Sequence, residues 1–373
     1  MPESKRLVDL VQSDIDAFLN EREPLLSTIG ADLAPFIEYS RDLLRGGKRF
    51  RALFCYWGWQ SVSDHAEGFE VMPDSRPPSD LKAIVQAASG LEFFHAAALV
   101  HDDIMDNSDT RRGLPSAHKR FESLHDVGRW TGNARGFGQS AALLLGDLLL
   151  SWSDEMFDNG LSVLTSAEAR TAARREFNRM RTEVTVGQYL DILEESSWHN
   201  HPETELLERA HRVIVYKSAK YTIEAPLAIG AALAGGTAEQ ISALREFGLP
   251  LGVAYQLRDD LLGVFGDPET TGKPSGDDLR EGKRTVLIAL ARTKLAANSS
   301  SLLDELLGDP HLSSQQVSML QASIQNSGAV EHVERIIDHN VKLAIGAIQD
   351  APLSVAAKRQ LVQLADTVIK RSA

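Results

Sequence analysis

Acidic residues at the end of one apolar segment constrain this chain more than any other feature. In Leu99-Val-His-Asp-Asp-Ile-Met-Asp-Asn-Ser-Asp-Thr-Arg-Arg-Gly113, Asp102 and Asp106 are four residues apart, with Asp103 beside them. On a helix that spacing stacks side chains on one face. Stacked like charges repel by roughly 0.2–0.5 kcal/mol in water, and by more in a cleft. Placing them straight after the apolar run from Ala96 to Val100 points to a bound cation. Carboxylate ligation suits Mg²⁺, which keeps several waters and shares its shell with substrate phosphate. Arg111 and Arg112 follow, and guanidinium forks match phosphate oxygens. The segment reads as a metal–diphosphate site, although such a pair taken alone also describes a solvated acidic helix end. A calcium loop is excluded by register. Counting from Asp102 places Ile104 at the third ligand position; counting from Asp106 places Arg111 where glycine is needed and Ala117 where the bidentate Glu belongs.

A second acidic group downstream, Tyr255-Gln-Leu-Arg-Asp-Asp-Leu-Leu-Gly263, decides between these readings. Together with Gly46-Gly47-Lys48-Arg49-Phe50-Arg51, Gly272-Lys273 and Gly282-Lys283, it makes the chain resemble the trans-isoprenyl diphosphate synthases, the polyprenyl synthetase family. The resemblance runs from about Gly46 to Thr285. It implies an isoprenoid synthase-type bundle of about ten core helices, with the two acidic motifs facing each other across a central cavity, and a homodimer. It also implies Mg²⁺, about three ions per active site. Carried over residue by residue, it gives Asp102, Asp103, Asp106 and Asp259 to the metals. Arg111 and Lys217 serve the departing allylic diphosphate, and Lys48, Arg51, His95 and Arg112 serve isopentenyl diphosphate. Ser218, Gln256, Lys273 and Lys283 complete the allylic site, while Gln188 and Asp191 fall near its pocket. The chain departs from the pattern at Gly263, which replaces the last Asp of the second motif, and at Ser218, which replaces Thr. Asp277 is expected to support the ion at the second motif.

The rest of the sequence agrees with this reading. Helical spacing without strand-like alternation predicts an all-α fold, in which 373 residues with 43% hydrophobic content build one domain over 1–373. Surface loops are expected near 61–80 and 122–140, the latter including Gly136-Phe-Gly-Gln-Ser-Ala141, which imitates a dinucleotide fingerprint without a preceding strand. Thr165 with Glu168, and Thr237 with Gln240, read as capping boxes. Gly272 to Gly282 reads as a lid over diphosphate, and Leu361, Leu364, Ala365, Val368 and Ile369 as an apolar stripe of a tail helix. His101 and Cys55 are expected to be structural.

The net charge of −13 argues against nucleic acid as a partner. No apolar run approaches the ~20 residues of a membrane span, so no transmembrane segment is expected. The N-terminus lacks the apolar region of a signal peptide, and the single Cys55 allows no intrachain disulfide, which together suggest the cytoplasm.

The function expected is that of a Mg-dependent short-chain prenyltransferase. A class I terpene cyclase would not need Lys48, Arg51 and His95, and a non-catalytic synthase subunit would not need the aspartates. Product length is read from the helix before Asp102. Ala97 and Ala98 leave room one turn back, and Phe94, with Phe93 beside it, would form a floor a turn deeper unless both rings only pack the core; this favours geranylgeranyl diphosphate, with farnesyl or a longer polyprenyl diphosphate as the alternatives.

Overall fold

The computed structural model describes residues 2–62, 79–267 and 275–369, and the all-α expectation holds. The helices are α1 (Pro2–Ile29), α2 (Ala34–Leu44), α3 (Phe50–Val62), α4 (Ser79–Met105), α5 (Ala117–Val127), α6 (Ala134–Ser162), α7 (Ala167–Ser197) and α8 (Glu203–Val213). After a π-helical segment, Ile214–Glu224, follow α9 (Ala225–Leu233), α10 (Ala238–Phe265), α11 (Asp277–Glu281), α12 (Val286–Lys294) and α13 (Ala297–Leu306). Then come α14 (Ser314–Asn326), α15 (Ala329–Gln349) and α16 (Val355–Ile369). Among the described residues, the only strands are β1 (Thr110–Arg111) and β2 (Leu114–Pro115), a minimal hairpin.

The chain divides into two compact units. Unit 1 comprises Met1–Arg174 and Ile229–Gly236, and unit 2 comprises Arg175–Ala228 and Thr237–Ala373. In unit 1, α4 packs chiefly on α6, with α3 and α1 also against it. Ala87, Ala88, Leu91, Phe93, Ala97 and Val100 of α4 are all fully buried. One stretch of this helix, Asp80–Met105, is apolar and long enough to cross a membrane, contrary to the expectation that no run would be. It is a core helix, with 78% of its most apolar window buried inside the fold. Phe93 sits in a triangle of edge-on rings with Phe18 at 5.3 Å and Trp152 at 6.3 Å, so it is a core residue. In unit 2, α10 packs on α15 and on the π segment. Leu257, Leu261, Val264, Leu287, Val333 and Ile337 belong to its main core.

Several local expectations need correction. The segment 122–140 is not a loop: α5 extends to Val127 and α6 begins at Ala134, leaving 128–133 as the connection. The Asn133 side chain accepts from the Gly136 amide and caps α6. The glycines that imitate a fingerprint therefore lie inside the first turns of that helix. At α7 the cap is Ser166 and not Thr165, since Ser166 Oγ accepts from the Ala169 amide at 3.1 Å and also contacts Glu168. The Thr237–Gln240 capping box forms as expected. Of the loop expected at 61–80, the ends lie in α3 and α4, and residues 63–78 are outside the described residues. Of the expected lid, 268–274 is outside as well. Its described remainder is not open chain: α11 runs between left-handed Gly276 and Gly282. In α16, Leu361, Leu364 and Ala365 are buried as expected; the Val368 side chain is outside the description.

Truncation of Phe93 to Ala should cost about 3–5 kcal/mol, because a fully enclosed ring leaves a cavity. Chemical denaturation of the variant beside the parent chain measures this, and a change below about 1 kcal/mol would show that the ring is not enclosed.

Candidate active site

Although α4 is buried on most sides, one stripe of it stays open. His95, Ala98, Leu99, Asp102 and Asp106 are half-buried and recur at the helical spacing, whereas Asp103 turns inward and is 1% exposed. The carboxylates sit at the helix C-terminus, where the macrodipole opposes negative charge. A cation beside them is supplied by the hairpin that follows. Arg112 (φ 54°) and Gly113 (φ 76°) form its two-residue turn, both left-handed, as a type I′ hairpin requires. The turn folds Arg111 back on α4. Its Nε donates to Asp103 Oδ1 at 2.9 Å, its Nη2 donates to the same oxygen, and Nη2 lies 3.6 Å from Asp102 Oδ2.

Arg112 points elsewhere. Its Nη1 approaches the Leu43 and Arg45 carbonyls at 3.4 and 3.5 Å, at the corner that carries Lys48 and Arg51. The imidazole of His95 is held well below its ordinary value of 6.5, first by burial and then by the positive charge of Arg51, Arg112, Arg111 and Arg49. It is therefore neutral at pH 7 and offers one N–H donor beside several guanidinium groups. Such a set suits an anion with many acceptor oxygens.

Unit 2 carries a second acidic centre. Asp259 and Asp260 lie on α10, and Asp260 is 5% exposed. Asp260 Oδ1 accepts from Gln256 Nε2 at 2.9 Å, so the Gln256 amide predicted for substrate is used by its neighbour. Asp260 Oδ2 is buried without a hydrogen-bond partner among the described residues. Burial, followed by the negative charge of Asp278, Asp259 and Asp191, holds this carboxyl well above the usual range.

The carboxylate missing from the second motif is replaced in space. A Cβ at Gly263 would collide with the Asp278 carboxylate, which occupies the volume of the absent side chain. The sequence points to Asp277 for a supporting role here, and its neighbour Asp278 on α11 is the acid that fills the space over Gly263. Lys217, on the π segment with Ser218, pairs with Asp191 through its Nζ. Lys283 Nζ lies 3.7 Å from Asp191 and 3.2 Å from Glu195. The i→i+5 bonding of the π segment continues to the Ala225 amide on the Lys220 carbonyl. Lys273 lies outside the described residues.

Among the described residues, no three His, Cys, Asp or Glu side chains converge as a preformed metal cage. Mg²⁺ does not ask for one, because it binds through one or two carboxylates and takes the rest of its shell from water and substrate phosphate. The stacked Asp102 and Asp106, with the arginine already beside them, fit that requirement. So does the acidic group of Asp259, Asp260 and Asp278, whose buried Asp260 Oδ2 has no hydrogen-bond partner among the described residues.

The neutral state of His95 sets a pH dependence. A folded value below the unfolded one means that the unfolded chain binds more protons in the window beneath 6.5, so stability falls as pH drops through it. His95→Gln should flatten this dependence, read as a smaller difference in Tm between about pH 7.5 and 5.5. An unchanged difference would show that His95 titrates normally.

The polyprenyl synthetase family model matches residues 35–324. The geranylfarnesyl diphosphate synthase of Aeropyrum pernix is 31% identical over 79% of this chain and 84% of its own length. The geranylgeranyl diphosphate synthase of Sulfolobus acidocaldarius is 26% identical over 96% of this chain and 99% of its own. Among solved structures, the geranylgeranyl pyrophosphate synthase of Corynebacterium glutamicum, complexed with isoprenyl diphosphate and magnesium, matches with a TM-score of 0.89 at 37% identity. That match covers 98% of this chain and 99% of the other. With most of its length accounted for by that family model, the chain belongs to the polyprenyl synthetase family.

Proposed function

We propose that the protein condenses isopentenyl diphosphate with allylic diphosphates as a Mg-dependent prenyltransferase, with geranylgeranyl diphosphate as its main product. The observation that carries this reading is the open stripe of α4, which sets His95 and the stacked Asp102 and Asp106 on one face, with Arg111 folded back on the acids. The named activities of the A. pernix, S. acidocaldarius and C. glutamicum relatives support the prenyltransferase activity, and those of the latter two support the geranylgeranyl product. So does the span of the family model across residues of both units, which we take as one polyprenyl synthetase domain.

In this reading Asp102, Asp103 and Asp106 would hold Mg²⁺ in unit 1, and Asp259 would do so in unit 2, with about three ions in all. When bound, the metal supplies positive charge to the diphosphate that leaves. Arg111 already neutralises Asp102 and Asp103, and it exchanges that partner for diphosphate oxygens. Lys217 and Lys283 hold the allylic diphosphate in the same way, giving up Asp191 as partner, and Lys273 is assigned with them. Ser218 and Gln256 belong to the same pocket. Lys48, Arg51, Arg112 and the neutral His95 fix the diphosphate of isopentenyl diphosphate.

The allylic C–O bond then breaks, the alkene of isopentenyl diphosphate bonds to the resulting cation, and a proton is lost from the new chain. The released diphosphate accepts that proton, so no side chain need serve as nucleophile. Homodimerisation is part of this proposal, supported by the exposed Leu143 and Leu144 on α6. A cytoplasmic site of action is also part of it, supported by the single buried Cys55.

Chain length follows from the α4 stripe. Ala98 is half-buried on the face of Asp102, and Phe94 lies one turn below it, whereas Ala97 is fully buried. Ala98→Phe should shorten the product by one isoprene unit and Phe94→Ala should lengthen it, because one turn of ~5.4 Å spans about one unit. Incubation of the pure protein with Mg²⁺, isopentenyl diphosphate and allylic primers, followed by chromatography of the products, tests both the activity and its length. Extended diphosphates ending at geranylgeranyl support the reading; cyclic hydrocarbons or no product would contradict it. In the same assay Asp102→Ala should reduce turnover by about a thousandfold or more with the fold intact.

A further inference from the structure

The corner between α2 and α3 has an unusual backbone. Gly46 (φ 72°), Gly47 (φ 85°) and Arg49 (φ 51°) are all left-handed. Glycine enters that region freely, but arginine does not. A non-glycine residue remains there only where its surroundings over-determine it, and such residues cluster at functional sites.

Here the surroundings are explicit. The Arg49 side chain is buried, 6% exposed, while Lys48 on one side is exposed and Arg51 on the other is half-buried. Arg49 Nη1 donates to Glu92 Oε2 on α4 at 2.9 Å. Its Nη2 donates to Gln12 Oε1 on α1 at 2.6 Å and to the Leu44 carbonyl at the end of α2. One guanidinium thus ties three helices to the corner, and the Arg49 carbonyl accepts from the Leu53 amide to open α3. Glu92 is three residues before His95, on the neighbouring turn of α4. Arg112 reaches the Leu43 and Arg45 carbonyls of the same corner, with its guanidinium over Gly47. Lys48, Arg51 and Arg112 therefore meet at a piece of backbone that Arg49 anchors, and His95 lies one turn along α4 from the Glu92 that anchors it.

We propose that Arg49 is a positioning residue, which anchors the α2–α3 corner to α1 and α4 and so holds Lys48 and Arg51 in register for one diphosphate. This rests on the substrate assignment above. Arg49 itself touches no substrate, because its donors are turned inward. A rigid corner orders the two basic side chains before binding, which lowers the cost of capturing a mobile anion.

The test separates Michaelis constants. The pair Arg49→Met with Glu92→Leu removes both buried charges together, so that neither is left alone in the core. Its KM for isopentenyl diphosphate should rise about tenfold or more, while the KM for the allylic diphosphate stays within about twofold. Arg49→Lys, whose single amine cannot span three acceptors, and Gln12→Leu, which removes one of them, should shift the same ratio by smaller factors. These two milder variants decide the matter if the double variant fails to fold. A folded variant with both constants unchanged, or raised equally, would overturn the positioning role, provided Arg51→Ala raises the KM for isopentenyl diphosphate alone. If Arg51→Ala and Lys48→Ala also leave that constant unchanged, the substrate assignment itself falls, and the positioning role with it.

Discussion

Repulsion between carboxylates at the C-terminal end of α4 is the constraint on which the site depends. Asp102, Asp103 and Asp106 lie where the helix dipole already disfavours negative charge, and Asp103 is buried. A buried acid without a partner would be strongly destabilising. The β1–β2 hairpin answers this by bringing Arg111 onto Asp103 and Asp102. The same hairpin turn sends Arg112 to the α2–α3 corner, so a single tight turn links the acidic face of α4 with the basic corner. Under the proposed function, charge balance inside the fold and readiness for an anionic, metal-bearing substrate are the same arrangement, since a cation near Asp102 and an anion near Arg111 would each replace a partner already in place.

Unit 2 solves a similar problem with different residues. Asp260 is enclosed near Asp259, Asp278 and Asp191, and of these Asp191 is matched by Lys217 and approached by Lys283. The absence of a side chain at Gly263 does not remove a carboxylate from the face of α10, because Asp278 enters the space from α11. The motif is altered in sequence and retains its charge in space.

Much of this was legible in the chain. Spacing alone stacks Asp102 on Asp106 and puts His95 two turns behind, and the structure keeps all of them on the open stripe of α4. The Thr237 cap is local and was read correctly; the Thr165 cap was misplaced by one residue, because adjacent Thr and Ser offer the same hydroxyl chemistry and only geometry chooses Ser166. The Gly136–Ala141 stretch was misread because glycine marks both loops and the closely packed turns of a helix. What the sequence could not disclose were contacts between distant positions. Asp278 over Gly263 and Arg49 on Glu92 and Gln12 are set by how helices pack, and in the sequence Arg49 was only one more basic residue in a cluster. Its positive φ leaves no trace in residue type, whereas Gly46 and Gly47 beside it are the residue type that this region favours.

On the proposed function, the acidic end of α4 is a metal site completed by diphosphate and not by protein alone. Calorimetric titration of Mg²⁺ into the full-length protein, with and without inorganic diphosphate and repeated on Asp106→Asn, tests this directly. Mg²⁺ alone should bind weakly, binding should be at least about tenfold tighter with diphosphate present, and the variant should lose that gain. Mg²⁺ binding of equal strength with and without diphosphate, or a gain that survives Asp106→Asn, would contradict it.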